Sequence, residues 1–132
     1  MSLASTFEDL TIWQDARQLL KEIYSIFMIK GLAQRDYGFR DQLQRAALSV
    51  MNNIAEGFER SSKADFARFL DIAKGSCGEV RSMLYVASDL GYIPKDKALG
   101  LINQFQILSK QIAALSKTLR KSNKEKSGRW KV

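Results

Sequence analysis

The stretch LINQFQILSKQIAALSKTL, residues 101–119, decides the fold class. Within it Leu101, Phe105, Leu108, Ile112, Leu115 and Leu119 recur at intervals of 4, 3, 4, 3 and 4. That rhythm holds one face of an α-helix apolar and fits no strand, whose side chains alternate with period two. The intervals are of heptad type, the seam of a helix packed lengthwise against others.

Working back from this helix, Leu90-Gly91-Tyr92-Ile93-Pro94 reads as punctuation. Gly91 suits the left-handed position that ends one helix, and Pro94 falls near the first turn of the next. The preceding helix starts at the capping-box-like Ser62-Lys63-Ala64-Asp65, and its apolar side carries Phe66, Phe69, Leu70, Ala73, Val80, Leu84 and Ala87. Before it, Phe39, Leu43, Ala46, Val50 and Ile54 mark a helix from about Tyr37 to Glu59. Asp36 and Gly38 lead into that helix, Gly57 lies near its end, and Arg60-Ser61-Ser62 is the turn that follows. The first helix is expected from about Glu8 to Met28 on Leu10, Trp13, Ala16, Leu20, Ile23 and Phe27. Ser5 and Glu8 have the spacing of a capping box for it, and Lys30-Gly31 is its expected stop, with glycine left-handed at C′.

Four amphipathic helices with short connections make sequential neighbours antiparallel. The fold class is therefore all-α, an up-and-down four-helix bundle over residues 1–121. After about Lys121 the apolar rhythm stops, and residues 122–132 form a polar, basic tail expected to be disordered.

Composition narrows the chemistry. The 132 residues hold no histidine and a single cysteine, Cys77. A Cys/His zinc site, the Glu-x-x-His set of carboxylate di-metal bundles and triads with a histidine base are excluded. Cys77 has no histidine to activate it and reads as a small packing residue. Neither a phosphate-binding glycine loop nor a paired-carboxylate cluster emerges, so no enzyme, metal or cofactor is expected. Met1-Ser2-Leu3-Ala4-Ser5 lacks the features of a secretory signal, and no apolar run approaches the roughly 20 residues that span a bilayer. A cytoplasmic location is the expectation.

Charge is unevenly placed. From Lys110 to Val132 eight basic residues face one acid, Glu125, a net of +7, which leaves residues 1–109 with 13 of each sign. The C-terminal group of Lys117, Arg120, Lys121, Lys124, Lys126, Arg129 and Lys131, with Trp130 among them, is a candidate nucleic-acid-binding element. Trp130 has the chemistry to stack on a base or to enter a membrane interface. The bland alternative is a solubilising tail whose charges suit a helix C-terminus. No helix-turn-helix or RNA-recognition signature points to sequence-specific readout.

A second stripe runs along the helix at 37–59: Gln42, Arg45, Ser49, Asn53, Glu56 and Arg60, spaced 3, 4, 4, 3, 4. It is either a solvated face with i,i+4 support from Glu56 and Arg60, or a polar seam against a neighbouring helix or subunit. Asparagine at 53 favours the seam, because it costs helix propensity and needs hydrogen-bond partners beside Val50 and Ile54. In the next helix Gly75, Ser76, Gly78 and Glu79 stand mid-element. Each glycine there costs about 1 kcal/mol relative to alanine, which close approach of another helix would offset; a kink is the alternative. Gly75, Ser76 and Glu79 join the stripe as a candidate oligomer or partner interface.

Several of these segments also resemble a known family. Phe7-Glu8-Asp9-Leu10 with Trp13; Tyr37-Gly38; Gln42-x-x-Arg45-Ala46-Ala47-x-Ser49-Val50-x-x-Asn53-Ile54-Ala55-Glu56-Gly57-x-x-Arg60; Phe66-x-x-Phe69-Leu70-x-Ile72-Ala73-x-Gly75-Ser76 with Glu79; and Leu90-Gly91-Tyr92-Ile93 are similar to the four-helix-bundle proteins encoded in intervening sequences of bacterial large-subunit ribosomal RNA genes. The resemblance runs from about residue 7 to residue 120. It implies a ring-like homopentamer without established enzymatic activity. A related branch, the accessory variability determinant of diversity-generating retroelements, implies RNA or DNA and a reverse transcriptase as possible partners. Cys77-Gly78 departs from the larger apolar residue and alanine more usual there, and the tail lies outside the match. Two classes of function follow as expectations: an oligomeric nucleic-acid binder, and a protein-interaction scaffold with no nucleic-acid role.

Overall fold

In a computed structural model, which describes residues 4–122, the chain is an antiparallel up-and-down bundle of four long helices and one short one. The long helices are α1 (Thr11–Ile26), α3 (Tyr37–Phe58), α4 (Lys63–Asp89) and α5 (Lys95–Lys121), with the single turn α2 (Leu32–Arg35) between the first two. Packing follows chain order around a square, α1 on α3, α3 on α4, α4 on α5, and α1 closes loosely back onto α5. Among the described residues there is no strand.

The helix ends follow local chemistry, with two corrections near the N-terminus. The expected start at Glu8 is instead a 3-10 turn over Phe7–Asp9, and α1 begins at Thr11. It is Asp9, one residue later than Glu8, whose carboxylate accepts from the backbone N–H groups of Ser5 (3.2 Å) and Thr6 (3.3 Å). Nor does Gly31 end α1, which stops at Ile26 with Phe27 as its cap. Gly31 is nearly fully extended (φ 158°, ψ −163°) and opens α2, an element too short to show periodicity. The other caps match expectation. The side chain of Asp36 accepts from Phe39 N–H and that of Ser62 from Asp65 N–H. Gly91 takes φ 75°, and the N–H groups of Gly91 and Tyr92 return to the carbonyls of Ser88 and Ala87, a Schellman closure.

The core gathers Ile23 from α1, Leu43, Val50 and Ile54 from α3, Phe66, Leu70, Val80 and Leu84 from α4, and Phe105, Leu108, Ile112 and Leu119 from α5, all buried. Burial of each such side chain stabilises by about 1.5–3 kcal/mol. On α1 the buried row is broader than expected: Ile12, Leu19 and Ile26 are buried, while Trp13 and Leu20 are only partly so. Trp13 instead meets the edge of Phe7 at 5.1 Å and carries the Arg17 guanidinium over its ring.

The glycines contradict one expectation. A Cβ at Gly75 would have nothing within 4 Å, and one at Gly78 would meet only the Arg81 guanidinium at 3.7 Å. Both lie off the buried row of α4, so among the described residues no other helix approaches them. Close approach occurs at Gly57, where a Cβ would stand 2.7 Å from Phe69 Cβ. The missing side chain lets α3 and α4 converge at their shared end, where the Phe58 and Phe66 rings meet edge to face at 5.8 Å.

Candidate functional site: the α3–α4 cleft and the basic end of α5

The polar stripe of α3 divides in two. Its central part faces α4: Ser49 Oγ lies 2.9 Å from Ser76 Oγ, and Gln42 Nε2 is 3.4 Å from Glu79 Oε2. Asn53 Nδ2 donates to the Ser49 carbonyl (2.8 Å) and to Ser49 Oγ (2.9 Å). Its NH2 group is thus partnered without leaving α3, and the Ser49 hydroxyl links it onward to Ser76, where either hydroxyl can donate. Beside this chain an open cleft of about 450 Å³ is lined by Gly38, Asp41, Gln42, Arg45, Ser49 and Glu79. Arg45 stands exposed on its rim and makes no ion pair among the described residues.

The C-terminal part of the stripe does not reach the cleft. Arg60 Nη2 bonds Glu56 Oε1 at 3.1 Å along the same helix, and its guanidinium lies over the Phe69 ring at 4.7 Å. Glu56 and Arg60 therefore make a local surface pair. Gly75 faces open space, next in sequence to Ser76, the partner of Ser49.

At the other predicted element, Lys117, Arg120 and Lys121 occupy the last turns of α5 and are exposed. Lys124, Lys126, Arg129, Trp130 and Lys131 lie outside the described residues. Arg120 is already engaged: Nη2 donates to Asp71 Oδ2 at 2.6 Å, and Nη1 donates to Ser116 Oγ at 2.8 Å. Ser116 in turn donates to Asp71 Oδ1 at 2.9 Å, which closes a three-residue ring between α4 and α5. The Arg120 hydrogen bond holds the Asp71 carboxyl below the usual carboxylate range, against partial desolvation, with Ser116 assisting. The same bond raises Arg120 above its ordinary value. Lys63, buried at the start of α4, reaches the Ser122 carbonyl at 3.4 Å and caps the end of α5. The exposed cations Lys117 and Lys121 stand free of ion pairs among the described residues.

Asp71, Ser116 and Lys63, which fix this end, were not singled out from sequence, and neither was the Tyr92–Asp36 contact. Tyr92 donates its hydroxyl to Asp36 Oδ2 at 2.6 Å and packs against Phe39, which ties the α4–α5 connection to the start of α3. Hydrogen bonding to Asp36 pushes the Tyr92 phenol above its ordinary pKa. Cys77 is fully buried, and burial pushes its thiol up to about 12, out of range for a nucleophile at neutral pH. Among the described residues no three Cys, Asp or Glu side chains gather to hold a metal, and no helix is long and apolar enough to cross a membrane. What the two places offer is hydrogen bonding in a half-open cleft and positive charge at one end.

Comparison with known proteins places this arrangement. Residues 8–114 match the family described as 23S rRNA-intervening sequence protein. No curated protein matches the chain. Among solved structures, the fold is similar to a protein with unknown function from the S23 ribosomal protein family of Bacteroides thetaiotaomicron. That likeness has a TM-score of 0.75 at 20% identity and covers 81% of this chain and 99% of the other.

Proposed function

The chain belongs to the 23S rRNA-intervening sequence protein family, and on that premise we propose that it is a non-enzymatic, oligomeric bundle protein that binds nucleic acid electrostatically. The observation that carries the reading is the placement of charge: the whole net +7 falls within residues 110–132, on and beyond the last turns of α5. Phosphate backbones recognise such an element by counterion release without base readout. The geometry divides the work. Arg120 is spent on Asp71 and Ser116 and anchors α5, so phosphate contact falls to Lys117, Lys121 and the cations after Ser122. Assembly, with a pentamer the form implied by the resemblance, multiplies the cations presented to one polyanion and raises avidity without new contacts. The cytoplasm is the compartment proposed for this activity.

A mobility-shift titration on RNA and DNA at low salt, with the full chain and with a chain ending at Ser122, tests the reading. The full chain is expected to bind both and the shortened chain to bind many-fold more weakly. No binding at low salt would remove nucleic acid from the account. Equal binding by the two chains would remove the tail as the contact.

A second reading, a protein-interaction scaffold, is favoured by one observation, the open α3–α4 cleft with Arg45 on its rim making no ion pair among the described residues. A defined protein partner recovered after nuclease treatment, and lost on Arg45→Ala, would select it.

A further inference from the structure

The seam where α4 meets α5 gathers cations, and its register is fixed at both ends. Near the C-terminal end of α5, Ser116 donates to the Ala67 carbonyl (3.4 Å) and Arg120 bonds Asp71. At the opposite end Tyr85 and Ser88 share a cleft with Ala98, Leu99 and Ile102. Asp71 and Tyr85 thus mark the outer edge of α4 beside α5. Lys74, Gly78 and Arg81 fall between them at steps of 3, 4, 3 and 4, one row of a helix surface. Leu99 and Arg120 mark the matching edge of α5, where Asn103, Gln106, Lys110, Ala113 and Lys117 fall at steps of 4 and 3. Along this antiparallel pair the cations follow in the order Lys117, Lys74, Lys110, Arg81. They alternate between the helices over about 18 Å, at about 1.5 Å per residue.

Lys74, Lys110 and Lys117 are exposed and Arg81 is half-buried, and none of the four makes an ion pair among the described residues. The nearest acids are engaged elsewhere. Asp71 is held by Arg120 and Ser116, and Glu79 turns to Gln42 of α3. From Lys97 to Ser122 the chain carries no acid at all. Arg81 is the clearest case. Its Nε is buried without a hydrogen-bond partner among the described residues, and its Nη2 lies 3.7 Å from where a Cβ would stand at Gly78. Glycine weakens a helix interior, and no packing among the described residues requires it at 78. A side chain there would lie on the guanidinium, which glycine leaves open.

The composition of the seam says what it fits. Protein interfaces are built round an apolar, often aromatic centre, and membrane-surface elements carry large apolar side chains beside their cations. Between Lys117 and Arg81 the other members of the two rows are Gly78, Gln106 and Ala113. A line of cations with nothing large and apolar among them matches a regularly charged polyanion, whose phosphates Lys and Arg neutralise without reading bases. We infer that the α4–α5 seam is a track for the phosphate backbone of a nucleic acid, with Lys117, Lys74, Lys110 and Arg81 each neutralising a phosphate. The inference rests on the nucleic-acid part of the function proposed above. It carries the contact from the end of α5 onto the body of the bundle, where Lys74 and Arg81 belong to a stretch of zero net charge.

The test is the salt dependence of duplex DNA binding by the full chain, purified free of nucleic acid, with circular dichroism to confirm folding. A seam variant replaces the four cations by glutamine (Lys74→Gln, Arg81→Gln, Lys110→Gln and Lys117→Gln). A control makes the same change at Lys21, Lys30, Arg35 and Lys97, which are exposed and lie away from the seam. At about 0.9 per neutralised phosphate, the seam variant should lower the slope of log K against log salt by between about 3 and 4, and the control by less than about 1. A second seam variant, Gly78→Glu, keeps all four cations and lays a carboxylate against Arg81. It should lower the slope by about 1.

An unchanged slope in both seam variants would overturn the track while leaving nucleic-acid binding, through the tail, standing. Equal losses in the glutamine seam variant and the control would overturn it too, because net charge rather than place would then be acting. A seam variant that keeps DNA binding but no longer sediments with phosphatidylserine vesicles would overturn it in favour of a membrane surface. A wild-type chain that binds no DNA at low salt would overturn the proposed function and this inference together.

Discussion

The substitution Gly→Ala should have opposite signs at two positions of this bundle, and the difference is calculable from the packing. At Gly57 the added Cβ would lie 2.7 Å from Phe69 Cβ, 3.0 Å from Phe66 Cδ1 and 3.3 Å from the Phe66 carbonyl oxygen. Two of those three atoms are fixed to the α4 backbone, so relief requires α3 and α4 to separate. Overpacking of this sort costs about 1–3 kcal/mol, and alanine recovers about 1 kcal/mol of helix propensity. With the contact at its tightest against backbone-anchored atoms, the net loss should be about 1–2 kcal/mol. For a domain of this size that corresponds to a fall in Tm of roughly 3–10 °C. At Gly75 nothing lies within 4 Å, and φ is not positive, so only the propensity gain operates. Gly75→Ala should therefore stabilise by up to about 1 kcal/mol. Urea melts followed by helical circular dichroism, at one protomer concentration because assembly contributes to stability, measure both. A neutral or stabilising Gly57→Ala would refute the claimed convergence of α3 and α4. A destabilising Gly75→Ala would show that a neighbouring molecule occupies the open space.

Three further outcomes follow from the titrating groups. Cys77, with its thiol near pH 12 and no exposure, should resist alkylation at pH 8 in the folded protein and react on denaturation; fast modification of the native chain would contradict its burial. Asp71 is held below the ordinary carboxylate value of 3.8, so its contribution is present above that pH and is lost as pH falls through the depressed value. Asp71→Asn should accordingly flatten the acid limb of stability, by a small and salt-sensitive amount since both partners are half exposed; an unchanged acid limb would remove the bridge from the account. Tyr92 is shifted upward, so its bond to Asp36 stabilises below about pH 10 and is lost as pH rises through the raised value. Its own ionisation, isolated as the absorbance difference between the native chain and Tyr92→Phe, should fall above the ordinary phenol value of 10.0, and ionisation at or below that value would contradict the contact.

The long seams of α3, α4 and α5 were legible because one apolar row recurs over about four to six turns. On α1 the residues Leu10, Ile12, Trp13, Ala16, Leu19, Leu20 and Ile23 offer two overlapping rows, and only packing decides between them. Two spacings also compete at the start, Ser5 with Glu8 and Thr6 with Asp9, and the chain uses the later acid. Gly57 was readable in principle, since it continues the row Leu43, Ala46, Val50, Ile54 and so must face the core. Gly75 and Gly78 depart from the row Phe66, Leu70, Ala73, Cys77, Val80, which is why they face outward. The α3–α4 seam was visible through Asn53, a costly residue for a wet surface, but its extent was not, because Glu56 and Arg60 keep the same spacing while the helix carries them past the cleft. Arg120 looked like one more free cation; its partner Asp71 is 49 residues away, beyond any local pattern. A partner's chemistry leaves still less imprint: the cations mark a polyanion as a class and nothing finer.

The most direct test of that class is the salt dependence of binding to duplex DNA, comparing the full chain with a chain ending at Ser122. The segment removed contains Lys124, Lys126, Arg129 and Lys131. At about 0.9 per neutralised phosphate, four lost contacts should reduce the slope of log K against log salt by between about 3 and 4 per copy. That reduction, with the helical content and assembly state unchanged, is the predicted result. The same slope in both chains would contradict the account, because the charge on which it rests would then be touching nothing.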